Sequence, residues 1–535
     1  LDRSSAASDV YKRQIYYNML IWLLASCSFL EEYSQDTVYV RGYQDLEELL
    51  VGEGYMSAYA ANSLAYQWGY YPYIHYMQDE TEECSSDFVN SDYSRKDQIF
   101  GYYTWQQRCG VNEQGTSWAD ESRDWTKLYY HVNIVNNVID LIDEQITGSE
   151  DERLGALRLK GEAYFLRGAY YFTLVNLYGK PYSAATATQD PAVPLKLSGE
   201  IQDVVFGRES VAEVYEQILS DLKTAETCLG QTPDPATVYQ ADSTALHLLL
   251  SRVYLYMQNW EQALKYARKV IGVRPELRDL NDFNSGGFLD KSSEETIFSM
   301  GGNNIVCNTV NLNAAFQVSG ELYDTYDDND LRKNIFFWKY NNFIGYAKVG
   351  AGPGSFGQTP DPDNREYYYF CYAMYYPGTR LGVSDNWLLR TAEAYLNGAE
   401  AAAYLGDERT ARELLEALRV KRWDREKYEP IQKTGEALVT EIRDERRREL
   451  CLEGHRWFDL RRYMVCEKYP FTKEIQKVYY VYDDSGNQII EKRVYKLEKN
   501  DPAYTLPIPY EVLDYNTGME DNPHPQRSYV SEPFN

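Results

Sequence analysis

Apolar positions recur at intervals of three and four over long stretches of this 535-residue chain. Between Asp124 and Ile142 they are Trp125, Leu128, Tyr129, Val132, Val135, Val138 and Ile139, the single stripe expected of a helix. Asp45 to Leu64 carries the same period. Arg158 to Leu177 predicts a longer helix in which small residues at 161, 163, 168 and 169 admit a close neighbour, and Gly179 with Pro181 stops it. The next helix gathers Val211, Val214, Tyr215, Ile218, Leu222 and Ala225 on one face, so the two form an antiparallel pair. The period lapses where aromatics crowd among Gly, Pro, Asp and Ser: Tyr66, Trp68, Tyr70, Tyr71, Tyr73 and Tyr76, then Tyr102, Tyr103 and Trp105. Those stretches read as loops. Residues 276–385 lapse in the same way, and a loop-rich insert of that length is functional or a small subdomain. Short strands are expected at Asn303 to Val310 and at Val478 to Val494, the latter a hairpin around Asp484 to Asn487.

One repeat stands out. From Ala241, the positions of Leu250, Ser251, Tyr254, Ala263, Ala267, Val270 and Pro275 match a tetratricopeptide unit, whose small residues let two helices cross closely. A related pair follows Trp387, with Ala392 and Tyr395 on one helix and Ala411, Leu415 and Leu418 on the other. Helix pairs at 158–226, 242–271, 386–420 and 436–464, the last with a partner not assigned, suffice for a continuous solenoid core. The last contains a charged helix in which Glu441, Glu445, Glu449 and Glu453 recur every four residues and Arg443, Arg446, Arg447 and Arg448 fill the gaps. Helical spacing puts opposite charges three and four apart, which predicts an ion-paired structural helix. Beyond Gly454, Trp457, Phe458, Leu460 and Tyr463 supply its apolar anchor. The expected fold is all-α, with tetratricopeptide-like helix pairs, a loop-rich insert and minor β-hairpins.

Charge narrows the function. A formal net charge of −27 repels phosphate backbones and anionic bilayers, so no nucleic-acid partner is expected. The chain holds 51 Tyr, 10 Trp and 18 Phe, and rings with an apolar face and a polar tip suit ligands of mixed character such as sugars and peptides. Eight cysteines show no Cys-x-x-Cys pair, so zinc is not expected and isolated core thiols are. Gly352, Gly354 and Gly357 fit a dinucleotide loop in form, but Pro353 lies inside it and no helix follows, so no cofactor is expected. Asp324, Asp327, Asp328 and Asp330 lack the calcium-loop spacing and read as a solvated acidic turn ending at Arg332. No metal is expected. With 81 acids, nothing selects a catalytic carboxylate pair.

Residues 1–14 have no apolar period and are set aside as a non-native leader. Lys12 and Arg13, an apolar run from Ile15 to Ala25, and Leu24-Ala25-Ser26-Cys27 then follow in the order of a signal peptide. The run is too short to span a bilayer, and its end resembles a bacterial lipobox with Cys27 as the acylated residue.

Several stretches together resemble the SusD/RagB family of Bacteroidetes nutrient-binding lipoproteins: the lipobox at Cys27, Ala163 to Arg167 with Tyr178-Gly179, Asp328 to Arg332, Leu389 to Tyr395, Arg446 to Arg462, and Leu506 to Pro509. The close at Asn516 and Glu520 to Pro523 fits too, with Asp521 where the family more often has Gln. The resemblance implies four tetratricopeptide-like pairs and a lipid anchor on the outer face of the outer membrane. It also implies a SusC-like TonB-dependent transporter as partner, and capture of oligosaccharides without chemistry. Peptides in place of glycans, a surface glycan hydrolase and a cytoplasmic adaptor remain as alternatives. The implied regions are 1–26 (leader and signal peptide), 27–275, 276–385 (ligand-side insert) and 386–535. Ligand surfaces in the family come from N-terminal loops and the insert, which here points to Trp68, Asp79, Tyr103, Trp105, Trp338 and Tyr340. If Cys27 is the acylated residue, a fatty-acid probe labels the protein and Cys27→Ala abolishes both labelling and recovery with membranes; labelling that survives the substitution excludes the anchor.

Overall fold

The structure is a computed structural model, describing residues 40–56, 73–84, 93–117, 120–283, 288–300, 316–340, 342–348, 383–384, 386–483 and 488–533. The N-terminal helix α1 (Tyr43–Leu49) runs into a π-helical turn, followed by α2 (Ile74–Met77), strand β1 (Thr81–Glu83) and α3 (Tyr93–Tyr103). Next come α4 (Arg123–Ile142), α5 (Glu150–Tyr178), α6 (Val211–Leu229), α7 (Ser243–Tyr256) and α8 (Trp260–Val273). The insert holds β2 (Thr296–Ser299), β3 (Phe316–Val318), α9 (Gly320–Tyr323), α10 (Arg332–Ile335), β4 (Phe337–Tyr340) and β5 (Phe343–Tyr346). The chain then returns through β6 (Leu388–Arg390), α11 (Thr391–Tyr404), α12 (Glu408–Arg419), α13 (Gly435–Glu449) and α14 (Arg456–Met464). It closes with β7 (Ile475–Tyr482), β8 (Ile489–Leu497), α15 (Tyr510–Tyr515) and β9 (Tyr529–Pro533).

Local chemistry sets the helix ends. Ser149 with Glu152 and Ser210 with Glu213 form capping boxes that satisfy the first amides of α5 and α6, and Asp242, Asn259 and Asp407 cap α7, α8 and α12. The small residues of α5 mark its crossing with α6. A Cβ at Gly161 would stand 2.7 Å from Leu229 Cγ, and one at Gly168 2.9 Å from Leu222 Cδ2. Successive helices α4 to α8 pack side by side, α8 continues onto α11, and α13 packs on α11 as well as α12. The partner not assigned to the fourth pair is therefore α11. One hydrophobic core runs the length of this stack.

The insert leaves and re-enters at one place, because β2 pairs antiparallel with β6 (Ser299↔Leu388). Its own small core, including Phe288, Val318, Leu322, Tyr326, Phe336 and Phe337, closes over Cys451 and Leu452. The expected C-terminal hairpin forms with Val478 opposite Val494, and β9 adds a third, outer strand. Residues 303–310 lie outside the described set. Cys109, Cys228, Cys451 and Cys466 are buried free thiols, and Cys84 is buried as well.

The charged helix departs from expectation. Glu445, Glu449 and Arg446 are fully buried, as is Glu453 just beyond the helix, and most of their partners come from elsewhere in the chain. Arg390 reaches Glu449 at 2.7 Å, Glu453 at 2.8 Å and Glu295 at 2.9 Å. Arg422 reaches Glu295 at 2.6 Å and Glu449 at 2.9 Å, and Arg332 reaches Glu445 at 2.7 Å and Glu449 at 2.9 Å. Within the helix itself, Arg448 pairs with Glu441 and Glu445. The acidic turn departs likewise: Asp330 is buried and clamps Arg332 at 2.7 Å, while Asp328 stays at the surface. Burial works to raise the Glu449 pKa, but the guanidiniums of Arg422, Arg390 and Arg332 override it and hold Glu449 well below the usual carboxylate range. Removing one member of such a cluster strands the others' charge. Glu449→Gln is expected to cost about 3–5 kcal/mol in denaturant unfolding, whereas Glu413→Gln, whose partner Arg409 is exposed, costs under about 1 kcal/mol.

Candidate ligand-binding face

The face is assembled from three parts of the chain. Strand β1 pairs with β3 of the insert (Thr81↔Val318, Glu83↔Phe316); β1 also lies beside β7 of the C-terminal sheet, and β3 beside β5. The amide of Ile344 on β5 donates to the side chain of Gln317 on β3, which ties in the β4–β5 hairpin.

Asp79 sits in the α2–β1 turn and is 5% exposed. Arg456 grips it with two hydrogen bonds of 2.8 Å each, Lys473 approaches to 2.5 Å and Arg447 to 3.2 Å. Burial opposes ionisation, and these three cations overcome it and hold the carboxylate well below its usual range. The Tyr103 hydroxyl accepts from the Glu83 amide at 3.1 Å and donates to the Val478 carbonyl at 2.8 Å, while its ring meets Phe316 edge-on. Trp105 donates from Nε1 to the Met77 carbonyl at 3.0 Å. Its φ of 53° is one that bulky residues rarely adopt, so the surrounding packing holds this backbone in place. Trp338 covers Gly345 on the facing strand, where a Cβ would stand 2.0 Å from Cε2 of the indole.

These four predicted residues share one base, yet all are buried and spend their polar atoms or ring faces on protein. Tyr340 ends β4, with its side chain outside the described residues. Trp68 and Cys27 also lie outside them.

The base holds ionisable groups that sequence reading passed over. Burial pushes Glu80 and Glu83 up to about 7 and Lys477 down to about 7. Glu83 pairs with buried Lys96 at 2.5 Å, and the Lys477 ammonium stands 4.9 Å over the Tyr103 ring. The signal for Lys477 was present: period-two alternation puts it on the inward side of β7 with Ile475 and Tyr479.

Two stretches outside the described residues are rich in aromatics by sequence: 57–72 contains Tyr59, Tyr66, Trp68, Tyr70 and Tyr71, and 349–382 contains Tyr367, Tyr368, Tyr369, Phe370 and Tyr372.

Two family models match the chain. One, described as the SusD family, covers residues 275–524; the other, described as starch-binding associating with outer membrane, covers 71–255. The chain belongs to the SusD/RagB family. A SusD-like protein of Bacteroides ovatus is 24% identical over 410 residues, 67% of this chain and 68% of that one. Among solved structures, a SusD superfamily protein from Bacteroides thetaiotaomicron is 22% identical with a TM-score of 0.63, covering 90% of this chain and 100% of its own. A SusD-like carbohydrate binding protein from Bacteroides vulgatus is 20% identical with a TM-score of 0.63, covering 90% and 98%. A laminarin binding SusD-like protein is 19% identical with a TM-score of 0.58, covering 91% and 100%. At these identities the structural likeness establishes the fold.

In this SusD/RagB chain the family stretch Arg446 to Arg462 does two jobs: Glu449 holds Arg332 of the insert and Glu453 holds its Lys348, and Arg447 with Arg456 holds Asp79. Glu80 provides the sharpest handle on the face. Its carboxylate accepts from the Leu452 amide at 2.8 Å. With a folded pKa near 7 against an ordinary value of 4.5, its stabilising contribution is fully present below pH 4.5 and is lost as pH rises through 7. Glu80→Gln, which keeps the acceptor and removes the charge, is expected to match the parent near pH 5 and to exceed it by about 2–3 kcal/mol at pH 8 in urea melts; parallel pH profiles exclude the assignment.

Proposed function

We propose that this protein is a cell-surface lipoprotein, anchored through Cys27 to the outer membrane. It captures oligosaccharides and passes them to a SusC-like TonB-dependent transporter without chemistry of its own. The observation that carries the reading is membership of the SusD/RagB family, whose second matching model is described as starch-binding. The carbohydrate- and laminarin-binding neighbours support it.

The face adds a physical reason. Asp79, Tyr103, Trp105 and Trp338 are buried in one base, and the sequence of 57–72 and 349–382 is rich in aromatics. A sugar ring offers an apolar face of C–H groups and a rim of hydroxyls, which matches an aromatic ring beside hydrogen-bonding tips. On this reading Trp68 and Tyr340 contact the ligand, and the four buried residues position them.

Affinity electrophoresis and calorimetry against a panel of neutral glucans, other polysaccharides and peptides test the proposal. At least one glycan is expected to bind without being shortened, with Trp68→Ala weakening it about two- to tenfold, the range of one aromatic contact. Binding of peptides alone would replace the glycan by a peptide ligand, and depolymerisation by pure protein would make it a hydrolase.

A further inference from the structure

Within the solenoid, between α5, α7, β2 and the turn before α14, lies a cavity of about 50 Å³ that none of the residues of the ligand-binding face lines. Phe165, Phe172 and Trp387 supply apolar walls, and Arg252, Tyr256 and His455 supply polar ones. At roughly 10–15 Å³ for each water-sized group, it has room for about four heavy atoms.

The polar walls are donors in excess. Arg252 directs Nε and Nη2 to Glu393 at 2.6 and 2.5 Å, and Nη2 also to the Leu388 carbonyl at 3.4 Å; Nη1 has no hydrogen-bond partner among the described residues. His455 Nδ1 lies 3.2 Å from Arg446 Nη2. A guanidinium can only donate, so Nδ1 is the acceptor and the ring proton sits on Nε2, which is likewise unpartnered among the described residues. Burial, and then the nearby charges of Arg252, Arg446, Arg390 and Lys348, push the His455 pKa well below its ordinary value and keep the ring neutral. The Tyr256 hydroxyl, in a side chain 3% exposed, also has no partner among the described residues. The carboxylates here are already engaged: Glu393 by Arg252, and Glu453 by Arg390 at 2.8 Å and by Lys348. Thr173 and Asn176 bond to carbonyls of their own helix.

The lining charges are paired, but the polar atoms left over on Arg252, His455 and Tyr256 can all donate, one of them from a guanidinium, and such a set calls for a strong acceptor. We propose that this cavity binds a small carboxylate, received by Arg252 Nη1, His455 Nε2 and Tyr256 Oη. The site is independent of the glycan reading and stands or falls apart from it.

Calorimetry on the whole protein at constant ionic strength, set with sodium chloride, tests it. The ligands are acetate and its neutral isostere acetamide. Acetate is expected to bind one per chain, at least about tenfold tighter than acetamide. Tyr256→Phe, which deletes one hydroxyl, is expected to weaken acetate about two- to tenfold. Acetate and acetamide binding equally, or acetate giving no more heat than chloride, overturns the proposal without recourse to any variant. Glucuronate and N-acetylglycine then distinguish the source: competition with acetate shows that the site takes the carboxylate end of a larger molecule, and lack of competition shows that it takes the free acid.

Discussion

Glu449 is the point on which the architecture turns. One carboxylate at the end of α13 receives guanidiniums from Arg332 in the insert, Arg390 at the mouth of α11 and Arg422 after α12. Each of these cations is also bound to a further acid, so the cluster is a lattice rather than a set of pairs. Taking so many charges out of water is costly, and only dense mutual satisfaction offsets the cost. The lattice therefore tolerates one arrangement of the insert on the solenoid. Hydrophobic packing alone would permit several.

The same helix and the turn after it govern the candidate ligand-binding face. Arg447 and Arg456 reach away from the lattice to Asp79, and the Leu452 amide reaches Glu80. The N-terminal turn that edges the face is thus held by the same stretch of chain that also registers the insert. A sheet made of β1 from one region and β3 from another could otherwise slide. Buried Tyr103 and Trp105 add hydrogen bonds to backbone carbonyls at Val478 and Met77, linking a third region to the same frame.

Much of this was legible in the sequence. The α4 stripe, the small residues of α5 and the hairpin register of Val478 with Val494 follow from local periodicity, which carries the fold directly. The lattice was hidden because charges four residues apart suggest pairing along one helix, whereas the actual partners of Glu449 include Arg390 and Arg332, 59 and 117 residues away in sequence. The aromatics near the face misled for a related reason. Tyr103 and Trp105 stand among turn-forming residues, which resembles an exposed loop, but their hydroxyl and indole N–H find carbonyls from distant segments and so can be buried. Composition reports that a ring has a polar tip; only tertiary structure reports whether that tip meets protein or ligand.

The antiparallel pairing of β2 with β6 has an evolutionary consequence. Because the insert departs and returns at adjacent points, the solenoid experiences it as a closed loop whose ends are already joined. Lengthening such a loop costs only about 0.6 kcal/mol for each doubling. Sequence between the two strands can therefore grow, shrink or change composition while the helical stack keeps its register, provided that the members of the lattice it carries, Asp330, Arg332 and Lys348, are kept.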